Sequence, residues 1–287
     1  MTRRLSVLAG RMRKLDGGSM FGSLPRQHWA EWTEPDPDNQ IALASRVLLV
    51  QEPGRNVLIM AGSEPLLAPV PRTCRCQPQP LGLLDSLAQR GLDEDDIDRV
   101  ILCHVQALLP SDVRRAFQAG DPPRLLFPRA AYVTGARQWS RALRPHPRDR
   151  IWFVPQILDQ LESSGRLELV EDYACDVMGE GWKFHVSDGY TPGQLIPELE
   201  MPGGPVVFAG DLIPGLHWLD LDMASAFDRN PECLVEEKES LLDHMVAAGG
   251  RLMLARDPAV ALAKVTRDRQ SRYCAFDHHR CLDRCET

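Results

Sequence analysis

Thiolates and imidazoles are the side chains of this sequence best suited to hold a metal. Cys74 and Cys76 stand two positions apart in a proline-rich stretch, and His278, His279, Cys281 and Cys285 gather near the end of the chain. Together they carry the atoms of a thiolate/imidazole zinc site. The spacing argues otherwise, because a Cys-x-Cys and a Cys-x-x-x-Cys separated by most of the chain make neither a ribbon nor a finger. The tail therefore reads as a solvated segment with incidental cysteines, with a separate metal site there as the weaker alternative. The acidic run Asp93–Asp96 falls where a helix start or turn favours negative charge, which outweighs calcium binding. Neither a phosphate-loop glycine spacing nor a serine-elbow motif occurs, so Ser–His–Asp chemistry has no anchor.

The elements that must position any such chemistry come from a chain of globular composition, 44% hydrophobic and 25% charged over 287 residues, which can bury a sizeable core. A net charge of −7 with scattered basic residues argues against nucleic acid as a partner. No apolar stretch approaches the roughly 18 residues of a membrane span. The apolar run 5–10 is shorter than a secretory h-region and runs into Arg11 and Arg13, so it reads as a first strand and the chain as cytoplasmic. In that compartment most of the eight cysteines are expected reduced and buried.

Strand-like runs at 6–9, 41–50 and 56–60 open the chain, with Pro53-Gly54-Arg55-Asn56 as turn chemistry for a hairpin. Prolines 65, 69, 71, 78 and 80 deny regular structure to residues 63–80, which are expected on the surface. Further strands are expected near 100–103, 132–134, 166–170, 182–186 and 206–209. Helices are expected near 81–89, 111–119, 136–143, 156–163 and 232–248. Strands broken by amphipathic helices imply two sheets covered by helices. The expected organisation is one domain over residues 1–276, followed by a Cys/His-containing tail, 277–287.

Several blocks, in order, resemble metallo-β-lactamase-fold hydrolases of the quorum-quenching lactonase-like branch. They are residues 15–22 (Leu-Asp-Gly-Gly-Ser-Met-Phe-Gly) with Pro25 and Trp29, Arg46–Val50, Val57–Ile59 with Gly62, and Asp96–Leu102 before His104. Later come Thr191-Pro192-Gly193, Gly210–Pro214 with His217, Phe227-Asp228 with Pro231 and Lys238, and Asp257-Pro258. The resemblance extends to about Tyr273 and implies an α/β fold, the αβ/βα sandwich of two mixed sheets with helices on both outer faces. It also implies an active site at one edge, between the sheets; fold alone does not imply activity.

Enzymes of this fold usually carry a His-x-His-x-Asp-His run, two imidazoles and a carboxylate–imidazole pair facing two metals. Here the run reads His104-Val105-Gln106-Ala107-Leu108-Leu109. The family's Thr-Pro-Gly-His ends in Gln194, its final histidine is Arg256, Met60 stands where an aspartate usually ends the first hairpin, and Asp211 matches the bridging carboxylate. One imidazole and one carboxylate remain, so no cofactor is expected, with zinc or iron at His104 and Asp211 as the alternative. Removing both cations would leave Asp211 without counter-charge, and Arg256 is expected within about 4 Å of it. The pocket candidates are His104, Gln106, Gln194, Asp211, His217 and Arg256. Two functions follow: a noncatalytic or repurposed protein that binds a small molecule or a protein partner, or a hydrolase of an ester, lactone or related acyl substrate with a rebuilt one-metal or metal-free site. Self-association is left open.

Overall fold

The computed structural model describes residues 3–10, 12–63, 66, 82–108, 110, 113–114, 117, 124–171 and 177–285. Short apolar runs, buried on both faces, build two six-stranded sheets. The first runs in the order β1 (Arg4–Leu8), β4 (Val47–Glu52), β5 (Arg55–Met60), β6 (Arg99–Leu102), β7 (Ala131–Gly135), β8 (Leu167–Val170). Its first three strands are antiparallel and β5 to β8 are parallel. The expected hairpin is β4–β5, with Gly54 at φ 82° in its turn, a left-handed conformation that glycine adopts without penalty. A separate ribbon pairs β2 (Arg13–Asp16) with β3 (Gln40–Leu43), so the apolar run 41–50 is two strands in different sheets.

The second sheet runs β14 (Tyr273–His279), β13 (Leu262–Arg267), β12 (Arg251–Met253), β11 (Val206–Phe208), β10 (Gln194–Leu199), β9 (Trp182–Ser187), with β11 and β12 parallel and the other pairs antiparallel. Leu48, Val57, Ile59, Ile101 and Val133 of the first sheet meet Phe184, Leu195, Phe208 and Met253 of the second in one inner core. Alternate residues face outward. Leu49, Leu58, Val100 and Leu102 pack on the helices Ala136–Leu143 and Pro155–Ser163. Ile196, Val207 and Leu252 pack under the long helix Pro231–Ala248 through Leu241, Leu242 and Met245. This is the expected sandwich of two mixed sheets with helices on both outer faces.

Three expectations need correction or limits. The boundary after residue 276 falls inside β14, and the residues beyond it are tied to the first strand. Val7 N–H donates to the Leu282 carbonyl (2.8 Å), while Leu5 and Cys285 exchange backbone hydrogen bonds at 2.9 and 3.1 Å. Leu282 is buried in the inner core, so the segment is held by ordinary apolar burial that its Cys/His composition masked. Cavity formation at such a site costs about 2–4 kcal/mol for Leu→Ala. Urea unfolding of Leu282→Ala should register that loss, and a change within about 0.5 kcal/mol, typical of surface sites, would mean the tail packs lightly after all. Among the described cysteines Cys103 is buried, but Cys233, Cys274 and Cys285 are half-buried and Cys281 exposed, since they lie at a helix start, a sheet edge and the tail. The stretch 63–80 lies outside the described residues apart from Ser63 and Leu66, as does most of 111–119. No helix among the described residues is long and apolar enough to cross a membrane.

Candidate functional site

The carboxyl ends of β6, β11 and β12 deliver His104, Asp211 and Arg256 to one edge of the sandwich, the crevice where open α/β sheets usually place their sites. His104 lies two residues past β6, with its N–H on the Ala61 carbonyl (3.2 Å). Asp211 follows Gly210, whose φ of 58° turns the chain sharply after β11. Arg256 is fixed from both sides: its N–H donates to Pro214 O and its carbonyl accepts from Ala44 N, each at 2.9 Å. The half-buried Arg46 guanidinium donates to the carbonyls of Leu254, Asp257 and Val260, clamping the loop that carries Arg256.

The fork of Arg256 closes on Asp211. Arg256 Nε donates to Asp211 Oδ1 at 2.8 Å and Arg256 Nη2 to Oδ2 at 3.0 Å. His104 Nε2 lies 2.8 Å from the same Oδ2. Because an ionised carboxylate only accepts, Nε2 carries the hydrogen of that bond. All three side chains are buried. Burial acts to raise the Asp211 carboxyl, but the guanidinium charge, its two hydrogen bonds and His104 outweigh it and hold the group well below the ordinary carboxylate range. The contact expected from sequence, an arginine nitrogen within about 4 Å of Asp211, is thus present as a bidentate pair.

Gln106 and Gln194 are buried but make no hydrogen bond to that pair among the described residues. Gln106 Nε2 donates to Thr191 Oγ1 (3.4 Å), and Thr191 Oγ1 donates to Gln138 Oε1 (3.3 Å) on the helix Ala136–Leu143. Gln194 is fully buried, and neither of its amide atoms has a partner among the described residues; the same holds for His104 Nδ1. The helix approaches this turn so closely that a Cβ on Gly193, at φ 76°, would sit 2.5 Å from Gln138 N. His217 is not brought to Asp211: its ring stacks on Trp32 at 5.2 Å and 11°, and its neighbour Trp218 lines the cavity instead. Burial lowers the His217 imidazole, opposed by the Asp257 charge.

Beside the ion pair is a cavity of about 20 Å³, lined by Leu108, Tyr190, Leu212, Phe227 and Asp228 among others. That is room for roughly one water. Met60 is instead part of the core under the outer helices, and Leu109 lies outside the described residues. Asp228 was legible only as part of a Phe-Asp block, and nothing in its type announced its state. Burial pushes its carboxyl up to about 6, against a hydrogen bond from Ser225 N and the charge of Lys238. Lys238 is itself pushed down to about 8 by burial while donating to the carbonyls of Asp220, Leu221 and Met223. A carboxyl whose folded value exceeds its ordinary 3.8 takes up a proton on folding between about pH 4 and 6. Its contribution to stability is therefore present at pH 4 and lost as pH rises through 6. In Asp228→Asn, the fall in stability between pH 4 and 7 should shrink by about 2–3 kcal/mol. An unchanged pH profile would contradict the raised value.

Among the described residues, His278, His279, Cys281 and Cys285 do not bring three ligand atoms together. His279 instead pairs with Asp277 at 3.2 Å, on β14. Cys74 and Cys76 lie outside the described residues. The proposed separate thiolate/imidazole site thus gains no support from the tail.

Solved structures share this architecture end to end. A probable metal-dependent hydrolase from Staphylococcus aureus superposes with a TM-score of 0.77 at 22% identity, covering 96% of this chain and 98% of that one. The chain has the metallo-β-lactamase fold. AidC, a dizinc quorum-quenching lactonase solved with a product, aligns at TM-score 0.70 and 15% identity over 96% of this chain and 94% of that one. AbOPH, a hydrolase in the beta-lactamase superfamily, aligns at TM-score 0.71 and 18% identity over 97% and 95%. No family model and no curated protein matches the sequence.

A dinuclear metal centre of the metallo-β-lactamase kind does not fit the residues at this edge. Both Asp211 oxygens already accept from a cationic fork, which puts a fixed positive charge where a metal would bind. Gln106 and Gln194 offer neutral amide oxygens, poor zinc ligands beside imidazole, and Leu108 offers none.

Proposed function

We propose that this chain is a noncatalytic protein of the metallo-β-lactamase fold, which acts by binding a partner or ligand outside its closed cleft. The observation that carries the reading is the bidentate Arg256–Asp211 pair with His104 on the same carboxylate, a built-in cation on the residue that matches the bridging carboxylate of a dimetal hydrolase. A guanidinium cannot lower the pKa of a bound water or present a metal-bound nucleophile. The cavity of about 20 Å³ beside it is also far below the roughly 300–1,000 Å³ of ordinary ligand pockets.

One observation favours the hydrolytic alternative. A buried carboxyl near 6, that of Asp228, borders the cavity and has the proton affinity of a general acid or base at neutral pH. The test is to offer the chain an N-acyl homoserine lactone, the substrate class named for several structural neighbours, and an aryl ester, with and without added zinc. The expected result is no turnover above buffer, and an Asp211→Asn variant with unchanged metal content. Turnover abolished by Asp228→Asn would establish a metal-free hydrolase. Loss of bound metal in Asp211→Asn would establish a metal at the old site.

A further inference from the structure

On the far side of the second sheet, away from the cleft, three metal-binding side chains from three elements converge. Glu198 projects from β10 on the face that carries Ile196, under the long helix Pro231–Ala248. His185 projects from the neighbouring β9, where it lies opposite Ile196 and so diagonally beside Glu198. His244 comes down from the helix. Both imidazoles direct Nε2 at one carboxylate oxygen, Glu198 Oε2, at 2.6 Å from His185 and 2.8 Å from His244. The rings sit 5.4 Å apart. The two Nε2 atoms and the carboxylate oxygen all lie within 4.8 Å of one another, and no other group of three donors among the described residues does so.

We propose that His185, Glu198 and His244 form a binding site for one divalent transition-metal ion of the zinc class. Two imidazoles and one carboxylate are a donor set that such ions take, and three protein ligands leave a fourth position for water. A tetrahedral ion with bonds of ~2.0–2.1 Å holds its donors roughly 3.3 Å apart, so the two contacts of 2.6 and 2.8 Å must open by roughly 0.5–0.7 Å to accept one, a shift within reach of half-exposed imidazoles. The burial pattern suits an ion: the Glu198 side chain is 3% exposed while both histidines are 38% exposed, giving a fixed anionic floor and an open, solvent-facing side.

Neighbouring groups define the limits of the site. Glu237, two turns before His244 on the same helix, is not a fourth ligand. Its carboxylate accepts from Ser187 Oγ (2.6 Å) and from the N–H groups of Asp188 (2.7 Å) and Gly189 (3.1 Å). Lys183 Nζ stands 3.7 Å from the other Glu198 oxygen on a side chain that is 60% exposed, so it can swing aside when a dication arrives. An ion there would clip the helix to the edge strands β9 and β10 through side chains far apart in sequence. The proposal is independent of the closed cleft, because none of its atoms belongs to the Arg256–Asp211 cluster.

Tag-free, chelator-stripped full-length protein titrated with Zn²⁺ should take up one equivalent. His185→Ala and His244→Ala should each lose it while the circular dichroism spectrum is kept. Lys183→Ala should bind at least as tightly as the native chain, because removing a competing cation favours the ion. Since Glu198 is buried and its replacement can weaken the fold, the half-exposed histidines are the decisive variants. Co²⁺ in place of Zn²⁺ should give visible d–d bands without thiolate-to-cobalt charge transfer, which separates this site from the cysteines. No uptake by the native protein, or uptake that survives both histidine variants, overturns the assignment. Loss of this metal leaves the cleft reading untouched, since that reading is tested by Asp211→Asn.

Discussion

Arg256→Ala should lower the stability of the chain by about 3–5 kcal/mol, the range for removing one partner of a buried ion pair. The size follows from what stays behind. The Asp211 side chain is 7% exposed, and both of its oxygens lose a charged donor at once. His104 Nε2 remains on Oδ2, so the carboxylate keeps one of its three hydrogen bonds. In the native protein the Asp211 carboxyl lies below its ordinary value of 3.8. Its stabilisation is therefore complete above that value and is lost as pH falls below it. In the variant, burial is no longer outweighed and the group moves up. The stability gap between native and Arg256→Ala proteins should be widest near neutral pH and narrow on acidification. Adding Asp211→Asn removes the stranded charge and should recover part of the loss. Chemical denaturation of the four proteins closes the cycle, and a coupling near zero would mean that the fork is ornamental.

The second large effect concerns metal uptake. A chain carrying Gln106→His, Leu108→Asp, Leu109→His, Gln194→His and Arg256→His together should acquire zinc at the His104–Asp211 edge. The structure adds a condition that the sequence did not supply: any set that leaves Arg256 in place should fail. The fork occupies both carboxylate oxygens, and its positive charge lies where a cation would bind. Equilibrium dialysis on a His185→Ala, His244→Ala background isolates this edge from the outer histidines. Uptake by the four-fold variant with Arg256 intact would refute the electrostatic exclusion. Metal binding should return before hydrolysis does, because a cavity of about 20 Å³ beside the site still excludes an acyl substrate.

The amino-acid sequence by itself determined the strands of the first sheet, the Gln, Leu and Arg residues that stand where the resemblance places metal ligands, and the identity of the residue facing Asp211. These are local facts. Short continuous apolar runs write buried strands, as at Val57–Met60, and turn chemistry writes the hairpin at Gly54. An arginine just before Asp257-Pro258, where the resemblance places a histidine, is visible in one line of text. Element boundaries without such signals were lost. The strand β10 was hidden because Pro197 argues against a central strand, yet its pairing with β11 begins only at Glu198, past the missing N–H. The tail was misjudged because its polar and cysteine-rich composition conceals one buried leucine and three backbone hydrogen bonds to β1.

Only the tertiary structure decided that the arginine closes as a two-pronged fork, that His104 shares its acceptor, and that His217 turns away to Trp32. It alone brought together His185, Glu198 and His244. The first two are 13 residues apart and the helix residue a further 46, so no spacing rule connects them. Their meeting depends on the β9–β10 register, where a slip of one residue would send Glu198 to the opposite face. It depends also on how the long helix lies across that sheet, which side chains from distant parts of the chain settle together.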